Sequence, residues 1–166
     1  GSLRFNDDDS AYLSWTPASA GNRKTWTWSG WVKRGNLGSA YRLMSAGTAA
    51  TERTIIQFET NDTLKFYSRT GGTVRANITT NAVFRDPSAW YHIVYECDAS
   101  TTTLKIYVNG VEQSLNVATS IANENTKFSS TDQHNIGVDY ATTSGFFDGY
   151  LANVHFIDGQ ALTASD

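Results

Sequence analysis

The sequence predicts an all-β domain, built as a sandwich or a barrel, on three observations. Charged residues make up only 17% of the 166-residue chain, against about 25% in an average globular protein. Long surface helices therefore have little Glu and Lys to form from. Aromatic residues at 13%, together with abundant Thr, Val and Ile, suit a pleated and half-buried surface. Segments in which apolar and polar residues alternate recur from end to end, separated by Gly, Asn, Asp and Ser.

The elements follow in order. Residues 3–5 open a strand that breaks at Asn6-Asp7-Asp8-Asp9-Ser10 and resumes at Tyr12-Leu13. Residues 25–33 alternate well: Trp26, Trp28 and Val32 share one face with Gly30 between them, and Thr27, Ser29, Trp31 and Lys33 share the other. Strands over 42–46, 54–59 and 63–68 come next, with a turn at Asn61-Asp62. Gly71-Gly72 tolerates the positive φ of a primed turn and joins 64–68 to 74–78. Strands over 90–97 and 104–109 are linked through Asp98-Ala99-Ser100-Thr101. Asn109-Gly110, the strongest hairpin signal in the chain, closes 104–108 onto 112–115. Residues 122–133 are polar and read as a long surface loop, and 135–138 and 150–157 complete about ten to thirteen strands. Trp26, Trp28 and Trp90 are expected in the core, and Trp15 in a loop beside Thr16-Pro17.

Length and charge bound the rest. A chain of 166 residues suits one domain with one core. The single cysteine, Cys97, can form neither an internal disulfide nor a cysteine-based zinc site. A net charge of −3 with no long basic run offers nothing to nucleic acid or an anionic membrane. No apolar run approaches the ~20 residues that span a bilayer, and no signal peptide is evident at the start. Gly1-Ser2 reads as a cloning remnant, and the stop at Ala164-Ser165-Asp166 suggests that residues 3–166 are a domain cut from a longer chain.

Five segments together resemble concanavalin A-like, laminin-G-type domains. Phe147-Asp148-Gly149-Tyr150-Leu151-Ala152-Asn153-Val154-His155-Phe156 is similar to that family's closing strand. Trp90-Tyr91-His92-Ile93-Val94 followed by Leu104-Lys105-Ile106-Tyr107-Val108-Asn109-Gly110 resembles its central hairpin. Thr27-Trp28-Ser29-Gly30-Trp31-Val32-Lys33, the opening Leu3-Arg4-Phe5-Asn6 with Asp9, and Ile136-Gly137 match in the same order. The resemblance implies a two-sheet antiparallel jelly-roll sandwich with the two termini adjacent on one sheet. The alternation of Leu104, Ile106 and Val108 agrees with it, and the spacing of Leu151, Val154 and Phe156 predicts a bulge at Ala152-Asn153. The segment from Val154 to Thr163 looks most like versions in bacteriophage tail and other virion proteins. That likeness implies a virion or extracellular surface location, with glycan or host-surface polysaccharide and other virion proteins as partners.

Catalytic chemistry finds few candidates. His92, His134 and His155 are scattered, and no G-x-S-x-G elbow exists. Cys97 lies between Glu96 and Asp98, whose charges disfavour a thiolate. Some enzymes on this fold are glycosidases, which use two facing carboxylates. Glu96-Cys97-Asp98 lacks the second Glu of their E-x-D-x-E signature, so the domain is expected to be non-catalytic. Many laminin-G-type domains hold one Ca²⁺ at a sheet rim, which makes Asp7 and Asp9 the weak candidates for it. The preferred reading is that this Asp/Asn run bonds its own backbone in a turn, and no cofactor is expected. Tyr41, Tyr140 and Phe146 lie near loops, outside core alternation, and with Asp139 they are the candidate ligand-binding residues. An exposed ring flanked by polar side chains suits a sugar. The expected function is a lectin-like binding or adhesion module. The alternatives are a purely structural or protein-interaction (decoration) domain of a virion and, third, a glycosidase or lyase.

Overall fold

Thirteen strands and one 3₁₀ turn, Ala99–Thr101, make up the computed structural model, which describes every residue from Gly1 to Asp166. One sheet carries, in spatial order, β1 (Leu3–Phe5), β13 (Gly149–Asp158), β3 (Thr25–Arg34), β8 (Trp90–Asp98), β9 (Thr103–Val108) and β10 (Val111–Glu112). The other carries β11 (Leu115–Thr119), β7 (Thr73–Thr80), β6 (Leu64–Thr70), β5 (Glu52–Phe58), β4 (Tyr41–Ala49), β12 (His134–Ile136) and β2 (Leu13–Trp15). Every pairing is antiparallel, and β1 pairs with β13, so the first and last strands are neighbours on the six-stranded sheet. This is the all-β, two-sheet sandwich that the alternation and the resemblance imply. No helix is long and apolar enough to cross a membrane.

Alternation decides what the sheets bury. Trp26, Trp28 and Val32 point inward from β3, and Leu104, Ile106 and Val108 from β9. Ile56, Phe58, Leu64 and Phe66 meet them from the opposite sheet. Gly30 is the gap in the β3 series for a steric reason: a Cβ there would lie 2.9 Å from the Trp28 ring and 3.3 Å from Val154. The expected bulge in β13 is present, since its register against β3 shifts between Ala152 and His155. The extra residue lets Leu151, Val154 and Phe156 all reach the core side. Gly71 and Gly72, at φ 58° and 74°, make the hairpin turn between β6 and β7.

Four expectations are corrected. Asn109-Gly110 closes β9 onto only the two-residue β10; Leu115 already belongs to β11, in the other sheet. Trp90 is 37% exposed, because it pairs with Lys33 on the outer face while Tyr91 and Ile93 take the inner one. Trp15 lies in β2, not in a loop, and stacks on His134 with 5.1 Å between ring centroids. The 122–133 segment is the expected loop, exposed over Asn123–Asn125, but it does not stay on the surface. Phe128 is fully buried against Trp26 and Phe156, and Trp26 donates its Nε1–H to Thr126 Oγ1 at 3.2 Å.

Candidate functional site

The outward positions of β4, β5 and β6 form a shallow groove of about 140 Å³ lined by Arg42, Arg53, Ile55, Gln57, Lys65 and Tyr67. Register brings them together: Arg42 pairs with Gln57 and Gln57 with Lys65, while Ile55 pairs with Tyr67. A register shift between Arg42 and Met44 lets Leu43 and Met44 both enter the core while Arg42 stays outside.

The loop from Val138 to Phe147 packs beside this groove and anchors two of its side chains, Arg42 and Arg53. Ser45 Oγ donates to the Val138 carbonyl at 2.7 Å, and Asn135 Nδ2 donates to the Asp139 carbonyl at 3.0 Å. Asp139 is buried; its Oδ1 accepts the Tyr140 N–H at 2.8 Å, and its Oδ2 lies 3.2 Å from Arg42 Nη2 and 3.6 Å from Arg53 Nη1. One carboxylate thus serves two guanidinium groups and its own turn. Gly145, at φ 68°, lets the loop settle on Arg42, whose Cγ would be 2.9 Å from any Cβ there. The Arg53 guanidinium sits against two rings, 5.3 Å from the Tyr67 centroid and 5.8 Å from that of Tyr140. Glu59 Oε1 accepts from Gln57 Nε2 at 2.7 Å and lies 2.8 Å from Lys65 Nζ.

The four candidate residues do not form one site. Asp139 and Tyr140 adjoin the groove through Arg42 and Arg53 without lining it. Tyr41 and Phe146 instead line a separate cleft of about 270 Å³ at the sandwich rim, with Asp7, Asp8, Ser39, Ala40 and Gly145. Tyr41, expected as an exposed loop ring, is buried at the start of β4, and burial pushes its phenol pKa up. Phe146 is half-buried and lies 6.4 Å from Tyr12. Asp7 and Asp9 are occupied locally: Asp9 Oδ2 accepts from Asn6 Nδ2 at 2.7 Å, and Asp7 Oδ2 accepts from Asn36 Nδ2 at 3.2 Å. No group of three or more His, Cys, Asp or Glu is placed to hold a metal ion.

The remaining candidates for chemistry have structural partners. Cys97 is buried, and desolvation, with Asp98 and Glu96 adding to it, pushes its thiol pKa far up. Asp98 caps the 3₁₀ turn by accepting the Ser100 N–H, and Glu96 Oε2 accepts from the Tyr107 hydroxyl at 2.8 Å. His92 lies 3.2 Å from Ser29 Oγ.

Arg42, Arg53, Gln57, Lys65 and Tyr67 were not among the sequence candidates. Their signal was available: Arg53, Ile55, Gln57 and then Lys65, Tyr67, Arg69 occupy every second position opposite the core series. A second exposed aromatic surface lies on the six-stranded sheet, where Trp31 is 41% exposed beside His92 and Trp90 packs near Tyr150.

Comparison with known proteins agrees with this architecture. The profile of Laminin_G_3, described as the concanavalin A-like lectin/glucanases superfamily, matches residues 7–166. Domains LG4-5 of the mouse laminin α1 chain superpose with a TM-score of 0.70 at 14% identity, covering 100% of this chain and 44% of that one. The Ruminococcus gnavus IT-sialidase CBM40 bound to α2,3 sialyllactose gives 0.63 at 14% identity, covering 95% of this chain and 94% of the other. Domain 4 of AbnA, an extracellular arabinanase from Geobacillus stearothermophilus in complex with arabinotriose, gives 0.63 at 19% identity, with 87% and 65% covered. At these identities the likeness is one of fold. No curated protein sequence matches the chain.

Proposed function

The chain belongs to the Laminin_G_3 family of the concanavalin A-like lectin/glucanases superfamily, and on that basis we propose that it is a non-catalytic, lectin-like module that binds glycan in the groove beside Tyr140. The observation that carries this reading is the partly exposed Tyr67 ring set among amide and cationic side chains at one shallow depression, with the Tyr140 ring adjoining it across Arg53. Rings offer a sugar its apolar face a platform, and Gln57, Arg53 and Lys65 can meet its hydroxyls. The structurally similar domains in complex with sialyllactose and arabinotriose support it. The carboxylates beside the groove, Asp139 and Glu59, are each held by cations, an arrangement that suits binding better than acid–base work.

A groove this small suits weak binding, with Kd near ~1 mM for one module. Useful avidity then comes from many copies, since effective concentration adds about 10²–10⁴-fold. The virion or extracellular surface is the setting we propose, on the likeness of the closing segment to phage tail and virion proteins. A glycan array probed with a multimerised domain tests the reading. Binding that Tyr140→Ala abolishes, with an unchanged melting curve, supports it. Failure to bind any glycan sinks it in favour of a protein-contact role, for which Trp31, Trp90 and Tyr150 on the other sheet are the surface to examine.

A further inference from the structure

We infer that the groove selects an acidic sugar, whose carboxylate is taken by Arg42 and Arg53; this rests on the reading of the groove as a glycan site. Charge balance and the count of hydrogen-bond donors both point to an anion. Outward register positions of the seven-stranded sheet carry five basic side chains, Arg42, Arg53, Lys65, Arg69 and Arg75. Their carboxylate partners are three: Asp139, Glu59 and Glu124. This face therefore holds a surplus of two positive charges in a chain whose net charge is −3.

At the groove one charge of that surplus remains, with Arg42, Arg53 and Lys65 against Asp139 and Glu59, and most guanidinium donors there lack an acceptor. Each guanidinium carries five N–H donors, yet Arg42 and Arg53 share a single oxygen of Asp139. Their Nε groups are buried without a hydrogen-bond partner. Both side chains line the groove and keep part of their surface open, 13% for Arg42 and 24% for Arg53. The fork geometry of arginine matches a carboxylate in two parallel hydrogen bonds. The neighbouring Tyr67 ring, with Lys65 Nζ 5.5 Å and Arg53 5.3 Å from its centroid, supplies a surface for the sugar ring. The shared Asp139 explains how two guanidiniums are held side by side and balances only one of their two charges; the other surplus cation of the face, Arg69, is tied to the Gly72 carbonyl at 3.0 Å.

The test is retention of the multimerised domain on immobilised polygalacturonate, hyaluronan and polysialic acid, each compared with its carboxyl-reduced form. The expected result is retention by at least one acidic chain, weakened at least tenfold by carboxyl reduction. Arg53→Gln should abolish it. Because that variant also strips Asp139 of a partner and can unfold, Lys65→Gln serves as the second variant. It should weaken binding several-fold with an unchanged melting curve, whereas Lys105→Gln on the other sheet should leave binding intact. Equal retention of native and reduced chains overturns the acidic preference and leaves the glycan reading standing. Retention by dextran sulfate alone overturns the carboxylate assignment. No retention of any chain, neutral or acidic, removes both readings.

Discussion

Arg34 Nη2 lies 2.9 Å from Asp62 Oδ1, and this pair joins the end of β3 in one sheet to the β5–β6 turn of the other. The Arg34 side chain is completely buried; its Nη1 also donates to the Phe84 carbonyl at 2.6 Å, and its guanidinium lies 4.1 Å from the Phe58 ring centroid. Asp62 in turn accepts from the Gly38 N–H at 3.0 Å and from Arg85 Nε at 3.0 Å. Removing either partner strands a charge inside the sandwich.

Asp62→Asn is therefore expected to cost about 3–5 kcal/mol at neutral pH. Burial acts to raise the Asp62 pKa, but the Gly38 N–H, Arg85 and Arg34 outweigh it and hold the carboxyl below its usual value. Its stabilisation is thus complete above the unfolded value of about 3.9 and is lost as pH falls through the lower folded value. Urea midpoints at pH 7, 4 and 2.5 check this. The wild type should weaken below about pH 4, and the variant should start lower and change less.

His134 should make the fold sensitive to mild acid. Its Nε2 accepts the Ser129 N–H at 3.1 Å, while Nδ1 lies 2.8 Å from the Asp132 carbonyl, an arrangement suited only to the neutral ring. Burial lowers its pKa, against a smaller opposing effect of Asp132. Its contribution is full above about pH 6.5, the unfolded value, and declines as pH falls towards the folded one. Melting temperature should drop between pH 7 and 5, and the His134 ring signal should titrate below 6.5. A midpoint at or above 6.5 would contradict this.

Trp28→Ala should be severe and Trp15→Ala mild. Trp28 is fully buried against Tyr95, so truncation should cost about 3–5 kcal/mol. Trp15 is 39% exposed on an edge strand, and its loss should stay near the ~0.5 kcal/mol of a surface change, plus the modest value of its stacking on His134. Denaturant midpoints in the reverse order would overturn the face assignment.

Chelation should leave stability intact. Asp7 and Asp9 have amide partners from Asn36 and Asn6. EDTA should therefore move the melting temperature by less than about 4 °C, the shift that about 1 kcal/mol produces at this size. A larger fall would place a structural metal in the fold.

The strands were legible because one face of each is apolar, and even the β13 bulge could be read from the spacing of Leu151, Val154 and Phe156. Trp90 was not, because period two separates two faces without saying which is covered. Strand β8 carries aromatic residues on both, Trp90 and His92 outward and Tyr91 and Tyr95 inward. The 122–133 segment misled for a different reason. Some of its polar side chains, Thr126 among them, are buried through partners far away in sequence, as when Thr126 Oγ1 donates to the Arg23 carbonyl at 2.7 Å. The groove was half legible. Asp139 and Tyr140 stood out as loop residues, but Arg42 and Arg53 reach Asp139 only through strand register, which local sequence does not encode.

The strands at the borders of the two sheets carry a consequence for crowding. β1 and β2 have three residues each and β10 has two, while β11, the longest of the four, is kinked by a register shift between Val117 and Thr119. An unpaired strand is a template on which another chain can extend a sheet, and shortness and kinking both blunt it. Many copies can then stand side by side without zipping edge to edge into fibrils.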